Sequence, residues 1–102
     1  MSYAFVQDVP IDKQVYEHIL EQIGPEPLDG LIAHLVLEND DGTLRYVDVW
    51  ESQEACDRAF EERIHPAVGS VLQEIGFRPA GEPDRRVVVA VDVLLGGESP
   101  QS

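Results

Sequence analysis

The stretch LIAHLVLENDDGTLRYVDVWESQEACDRAF, residues 31–60, decides the architecture. Leu31–Glu38 is an apolar run and residues 43–51 form a second extended run. Asp40, Asp41 and Gly42 between them are a hairpin signal, because glycine supplies the positive φ that such turns need. Ser52 suits a helix N-cap, with Glu54 in the first turn and Ala55, Cys56, Ala59 and Phe60 as an apolar stripe. The first strand is apolar on both faces, with Leu31, Ala33, Leu35 and Leu37 on one and Ile32 and Val36 on the other. A strand with one face in water would alternate apolar with polar, so both faces of this sheet call for cover.

Upstream, Tyr3–Val9 reads as a strand closed by Pro10. Asp12 is placed to cap a helix in which Val15, Tyr16, Ile19, Leu20 and Ile23 recur at helical spacing. Ile11 and Tyr16 have the spacing of a hydrophobic staple, and Gly24-Pro25 stops the helix. Downstream, His65-Pro66 interrupts the second helix, because the residue before a proline avoids helical backbone. The period resumes at Val68, Val71, Leu72 and Ile75 and ends at Gly76, which predicts a bend or break near His65. Residues 78–84 read as a polar loop, 86–95 (RVVVAVDVLL) as a last strand, and 96–102 as a flexible tail after a single domain over 1–95.

The order β-α-β-β-α-β is the ferredoxin-like, α+β arrangement: a four-stranded antiparallel sheet with both helices on one face. Nothing else in the chain covers the second face. The simplest cover is a second copy, sheet against sheet, in a homodimer burying at least ~1,200 Å² in total. One hundred and two residues suit one domain, and so short a chain gains from such burial. The 20 acidic against 7 basic residues, a formal charge of −13, disfavour nucleic acid and anionic membrane as partners. A lone cysteine, Cys56, excludes an internal disulfide. No run approaches the roughly 20 apolar residues that cross a bilayer, and no signal peptide is evident, so a cytoplasmic chain is expected.

GLIAHLV, then DDG, then VDVWES leading into a helix with Phe60 and an interruption at IHP, resembles small proteins of the dimeric α/β-barrel superfamily. Antibiotic-biosynthesis-type monooxygenases are its best-known members, and the likeness spans residues 3–95. The resemblance implies a ligand pocket between sheet and helices. It also implies a range of activities: cofactor-free oxygenation, haem degradation, lactone isomerisation, or none known. The haem-degrading members carry an Asn on the first strand and a Trp and a His on the second helix. Those positions fall near Gln7, Ala59 and Gly69, and none matches.

If Glu38 lies opposite Leu44, then His34 faces Asp48, Ile32 faces Trp50 and Val36 faces Tyr46, all six on one side of the sheet. Asp48 would then hold the His34 imidazole in one tautomer, and His34 would serve as a general base if a substrate reaches it. His34 and Asp48 are thus the candidate catalytic pair, with Tyr16, Trp50, Phe60 and His65 as candidate ligand-binding residues. Plainer roles compete: a self-satisfied buried pair for His34–Asp48, core packing for Trp50, Tyr16 and Phe60, and helix-end capping for His65. No metal is expected, since His18, His34 and His65 form no close pair in sequence. No cofactor is expected either: there is no glycine-rich phosphate loop, and a GxSxG elbow is absent too. Two functions follow: a cofactor-independent monooxygenase or isomerase of a small aromatic or polycyclic molecule, or a non-catalytic small-ligand-binding or stress-type dimer.

Overall fold

The computed structural model describes residues 2–78 and 83–94. The elements run β1 (Tyr3–Val9), α1 (Lys13–Ile23), β2 (Leu31–Glu38), β3 (Leu44–Trp50), α2 (Gln53–Ala59), a π-helical turn (Phe60–Ile64), α3 (His65–Ile75) and β4 (Arg86–Val88). The four strands form one antiparallel sheet in the order β2-β3-β1-β4. This is the ferredoxin-like arrangement that the sequence predicts.

Local chemistry sets the boundaries. The Asp12 side chain accepts from the Val15 N–H at 3.0 Å, and Ser52 does the same for Ala55 at 3.0 Å, so α1 and α2 each start on a side-chain cap. The β2–β3 hairpin closes with Asn39 N–H donating to the Thr43 carbonyl, 2.8 Å, and Gly42 N–H to the Asn39 carbonyl, 2.9 Å. Gly42 sits at φ +88°, and the Asp41 carboxylate accepts from both the Thr43 N–H and its hydroxyl.

Alternation along the strands sends Phe5, Gln7 and Val9 of β1 and Leu44, Tyr46, Asp48 and Trp50 of β3 toward the helices. Phe5, Trp50, Cys56, Ala59 and Phe60 make one core cluster. Ile19, Ala67 and Val71 make a second, where α1 packs on α3, with Ile11 and Val15 at its edge. The opposite face carries Val6, Leu35, Leu37, Val47, Val49 and Val88, of which Leu35 is 58% and Leu37 48% exposed. An Arg45–Asp8 ion pair at 2.8 Å stands on the same face.

Three expectations need correction. Ile32 does not lie opposite Trp50. A bulge between Leu31 and Ala33 puts Leu31 there instead, so Leu31 turns to the helix side and packs on the Trp50 cluster. The extra residue lets the start of β2 bury its leucine while His34 keeps its predicted partner.

Second, the bend or break expected near His65 is a π-helical turn over Phe60–Ile64, after which the chain continues as helix. His65 itself is helical (φ −59°, ψ −43°) and its N–H donates to the Phe60 carbonyl, five residues back. Pro66 lacks an N–H, and its ring would clash with the carbonyl four residues back in a regular helix; the wider π turn relieves this. Third, β4 ends at Val88, not at residue 95. Val88 pairs with Ala4 and the β1 strand begins at Tyr3, so the chain beyond runs past the end of its neighbour. Val89, Val91 and Leu94 are 88%, 95% and 90% exposed. Leu95, the tail 96–102 and residues 79–82 of the expected polar loop lie outside the described residues.

Candidate functional site

Four side chains from three elements make one hydrogen-bonded run on the helix side of the sheet. His34 on β2 and Asp48 on β3 are register partners, and the His34 Nδ1–H donates to Asp48 Oδ1 at 2.6 Å. The Trp50 indole N–H donates to the other oxygen, Oδ2, at 3.1 Å. The Tyr16 hydroxyl of α1 lies 2.9 Å from His34 Nε2. A carboxylate only accepts, so it selects the neutral tautomer with hydrogen on Nδ1; Nε2 then accepts from the Tyr16 O–H. Asp48 is 3% and Trp50 1% exposed, so that end of the run is closed to solvent, while His34 and Tyr16 are half-buried.

The Tyr16 and His34 rings stack at 6.1 Å, and Tyr46 lies tilted against Tyr16 at 5.8 Å and edge-on against His34 at 5.2 Å. Burial, and then the nearby Asp48 carboxylate, raise the Tyr16 pKa above the ordinary 10.0. Burial raises that of Tyr46 as well, with Tyr16 and Asp48 adding to it. Both phenols therefore keep their protons at neutral pH.

These groups open on a cavity of about 480 Å³ between the sheet and helices α1 and α3. Its walls are mainly apolar, with Val9, Ile19, Ile23, Leu31, Val68 and Leu72 among them. Tyr16, His34, Asp48, Trp50, Phe60 and His65 all line it, so one space holds all six residues singled out from the sequence. Trp50 and Phe60 also belong to the core cluster, so packing and lining are not exclusive for them. His65 stands edge-on to Phe60 at 5.6 Å.

Sequence reading left out several residues. Gln7, only 3% exposed, also lines the cavity and donates from Nε2 to the Pro83 carbonyl at 2.9 Å. Its signal was available: it is a polar residue between Phe5 and Val9 at a position where strand alternation calls for an apolar one. Arg63, from the π turn, donates to the carbonyls of Ile23, Glu26 and Pro27 at 2.8–3.0 Å and so ties down the α1–β2 loop at the cavity edge. Arg85 lies over the Phe60 ring at 4.5 Å and the Phe5 ring at 5.1 Å, and pairs with Asp57 at 3.0 Å. It lines a more open hollow of about 520 Å³ that shares the Phe60, His65 and Pro83 wall. Neither arginine carries a signal that periodicity could expose. Among the described residues, no three His, Cys, Asp or Glu side chains gather as a metal site.

Solved structures share this architecture. A candidate antibiotic biosynthesis monooxygenase from Chloroflexus aurantiacus matches with a TM-score of 0.61 at 15% identity, over 92% of this chain and 97% of that one. The fold is that of the antibiotic biosynthesis monooxygenase-like proteins. A Mycobacterium tuberculosis protein matches at 0.59 and 18% identity, over 91% and 98% of the two chains. SnoaB, a cofactor-independent oxygenase from Streptomyces nogalater, matches at 0.53 and 16% identity, over 91% and 94%. At these identities the likeness is one of fold, and the fold hosts more than one chemistry. No protein-family model and no curated protein sequence matches the chain. No helix among the described residues is long and apolar enough to cross a membrane.

Proposed function

We propose that this chain is a cofactor-independent monooxygenase or isomerase of a small aromatic or polycyclic molecule, with Tyr16, His34 and Asp48 as its proton-transfer groups. The observation that carries this reading is the Tyr16–His34–Asp48–Trp50 run ending at a mainly apolar cavity. The cofactor-independent form of the reading is supported by the shared fold with SnoaB.

His34 Nε2 is the imidazole lone pair of the run, and the Tyr16 hydroxyl is hydrogen-bonded to it beside the cavity that both residues line. An acidic phenol or enol in the cavity would give its proton to the Tyr16 oxygen as Tyr16 passes its own to Nε2. Asp48 holds the resulting imidazolium. The substrate carbanion reduces dioxygen by one electron, and the radical pair joins to a peroxide anion, which takes back the proton to become a hydroperoxide. Loss of water from the hydroperoxide leaves a carbonyl, with one oxygen atom in the product and one in water. In an isomerase the same proton returns to a different carbon.

The bare apolar sheet face suits a second copy of the chain, and the proposed working form is a homodimer through it. Oxygen uptake tests the enzyme reading, using a panel of one- to four-ring hydroxyarenes. His34→Gln is expected to lose about 100-fold or more of the rate. Binding without oxygen uptake or isomerised product from any panel member would sink it.

One observation favours a second reading, a non-catalytic ligand-binding or stress-type protein. Both Asp48 oxygens and both His34 nitrogens already have partners, so the run is satisfied without a substrate. In that case His34→Gln leaves ligand affinity unchanged.

A further inference from the structure

The polar run accounts for its own hydrogen bonds, but two neighbouring groups in the cavity do not. Gln7 on β1 and Tyr46 on β3 are register partners, so their side chains stand side by side on the helix face. The Gln7 amide orientation is fixed: a carbonyl oxygen only accepts, so the Nε2 amino group must face Pro83. Its Oε1 is then left in the cavity wall of a residue 97% removed from solvent, and no group among the described residues donates to it. The Tyr46 hydroxyl likewise has no hydrogen-bond partner among the described residues, and its ring is held against His34 and Tyr16. An unpaired polar atom in a residue as buried as Gln7 is rare in folded proteins, and with the half-buried Tyr46 hydroxyl beside it on the cavity wall it calls for a polar group of a ligand.

Resting on the reading of this cavity as a ligand site, we infer that Gln7 and Tyr46 select the ligand by a single hydroxyl on a fused aromatic ring. That hydroxyl donates to Gln7 Oε1 and its oxygen accepts from the Tyr46 O–H, so it is an anchoring group and not the acidic group that gives its proton to Tyr16. Both unmet groups are then satisfied by one atom, and the ring is left against apolar walls. The Tyr46 ring contacts with His34 and Tyr16 set this hydroxyl beside the proton-transfer groups. Gln7 and Tyr46 are positioning residues in this account: they fix which ring edge meets Tyr16. An analogue lacking the hydroxyl leaves both protein groups desolvated and unpaired, which is how a polar site rejects an apolar isostere.

Calorimetric titration with 1-naphthol and with naphthalene tests this on wild type, Gln7→Leu and Tyr46→Phe. Wild type is expected to bind 1-naphthol roughly tenfold or more tightly than naphthalene. Gln7→Leu should erase most of that preference while keeping its naphthalene affinity, and Tyr46→Phe should reduce it. Equal binding of the two probes by wild type, or a preference that survives in Gln7→Leu, overturns the selection by Gln7 and leaves the cavity reading standing. Failure of wild type to bind either probe overturns the cavity reading, and this inference with it. Should Gln7→Leu not fold, the wild-type Gln7 side-chain amide resonances decide: they are expected to shift with 1-naphthol and not with naphthalene, and their indifference to both overturns the inference.

Discussion

Asp48 is the residue on which the polar run turns, because it accepts from a donor that cannot change and from one that can. Trp50 is only a donor, whereas His34 has two tautomers. In Asp48→Asn the single amide oxygen must stay with the indole N–H, so the amino group faces His34 Nδ1 and forces hydrogen onto Nε2. Long-range nitrogen NMR of His34 is expected to show this tautomer reversal, and proton-transfer activity should be lost with the fold retained. Trp50→Phe instead strands Asp48 Oδ2 in a buried place and should cost about 1–3 kcal/mol in urea unfolding. The two tyrosines make a separate statement about pH. Burial raises both phenol pKa values above the ordinary 10.0, so above that pH the folded chain holds protons that the unfolded chain has lost. Their contribution is complete below pH ~10 and declines as the pH rises past it. Tyr46→Phe should leave stability at pH 7 nearly unchanged and make the alkaline decline shallower, as read by urea titrations from pH 8 to 11.

At the scale of the elements, Gly30 lets the loop before β2 come close against α2. It sits at φ +88°, its carbonyl accepts from the Glu51 N–H, and a Cβ there would come 2.6 Å from the Ala55 Cβ. Gly42 has the same φ but open space around it. Gly42→Ala should therefore cost only the backbone strain, about 1 kcal/mol, whereas Gly30→Ala adds a steric clash between loop and α2 worth a further ~1–3 kcal/mol. Thermal unfolding of the two variants side by side checks the difference. The π turn has a comparable role. It carries α2 into α3 past Pro66 and places Phe60, Arg63 and His65 around the cavity edge. Arg63→Ala removes a fork that holds three loop carbonyls and should raise hydrogen exchange across residues 23–30 more than in the sheet.

For the whole molecule, the sheet has one face under helices and one face of valines and leucines that no described helix covers. A patch of this kind in so acidic a chain resists random aggregation through net charge while still favouring one specific partner. Under the proposed homodimer, Leu35→Asp combined with Val47→Asp places four carboxylates at the two-fold interface. Analytical ultracentrifugation is expected to show wild type as a dimer at micromolar concentration and the double variant as a monomer. Wild type sedimenting as a monomer would remove the assembly while leaving the cavity chemistry untouched.

Much of this was legible in the chain itself. Alternation, caps and turn glycines determined the element order, and the DDG hairpin determined the register that sets His34 against Asp48, because side chains repeat every two residues and turns close in few ways. Tertiary structure alone decided the rest. The Leu31–Ala33 bulge and the short β4 depend on what each strand end meets across the sheet, and the π turn depends on a proline carried through a packed helix. The pairing of Tyr16 with His34 Nε2 and the unmet oxygen of Gln7 depend on how far α1 and Pro83 stand from the sheet. Spacing along the chain encodes which face a residue takes; it does not encode the distance between two layers, and that distance is what makes a polar residue part of a site.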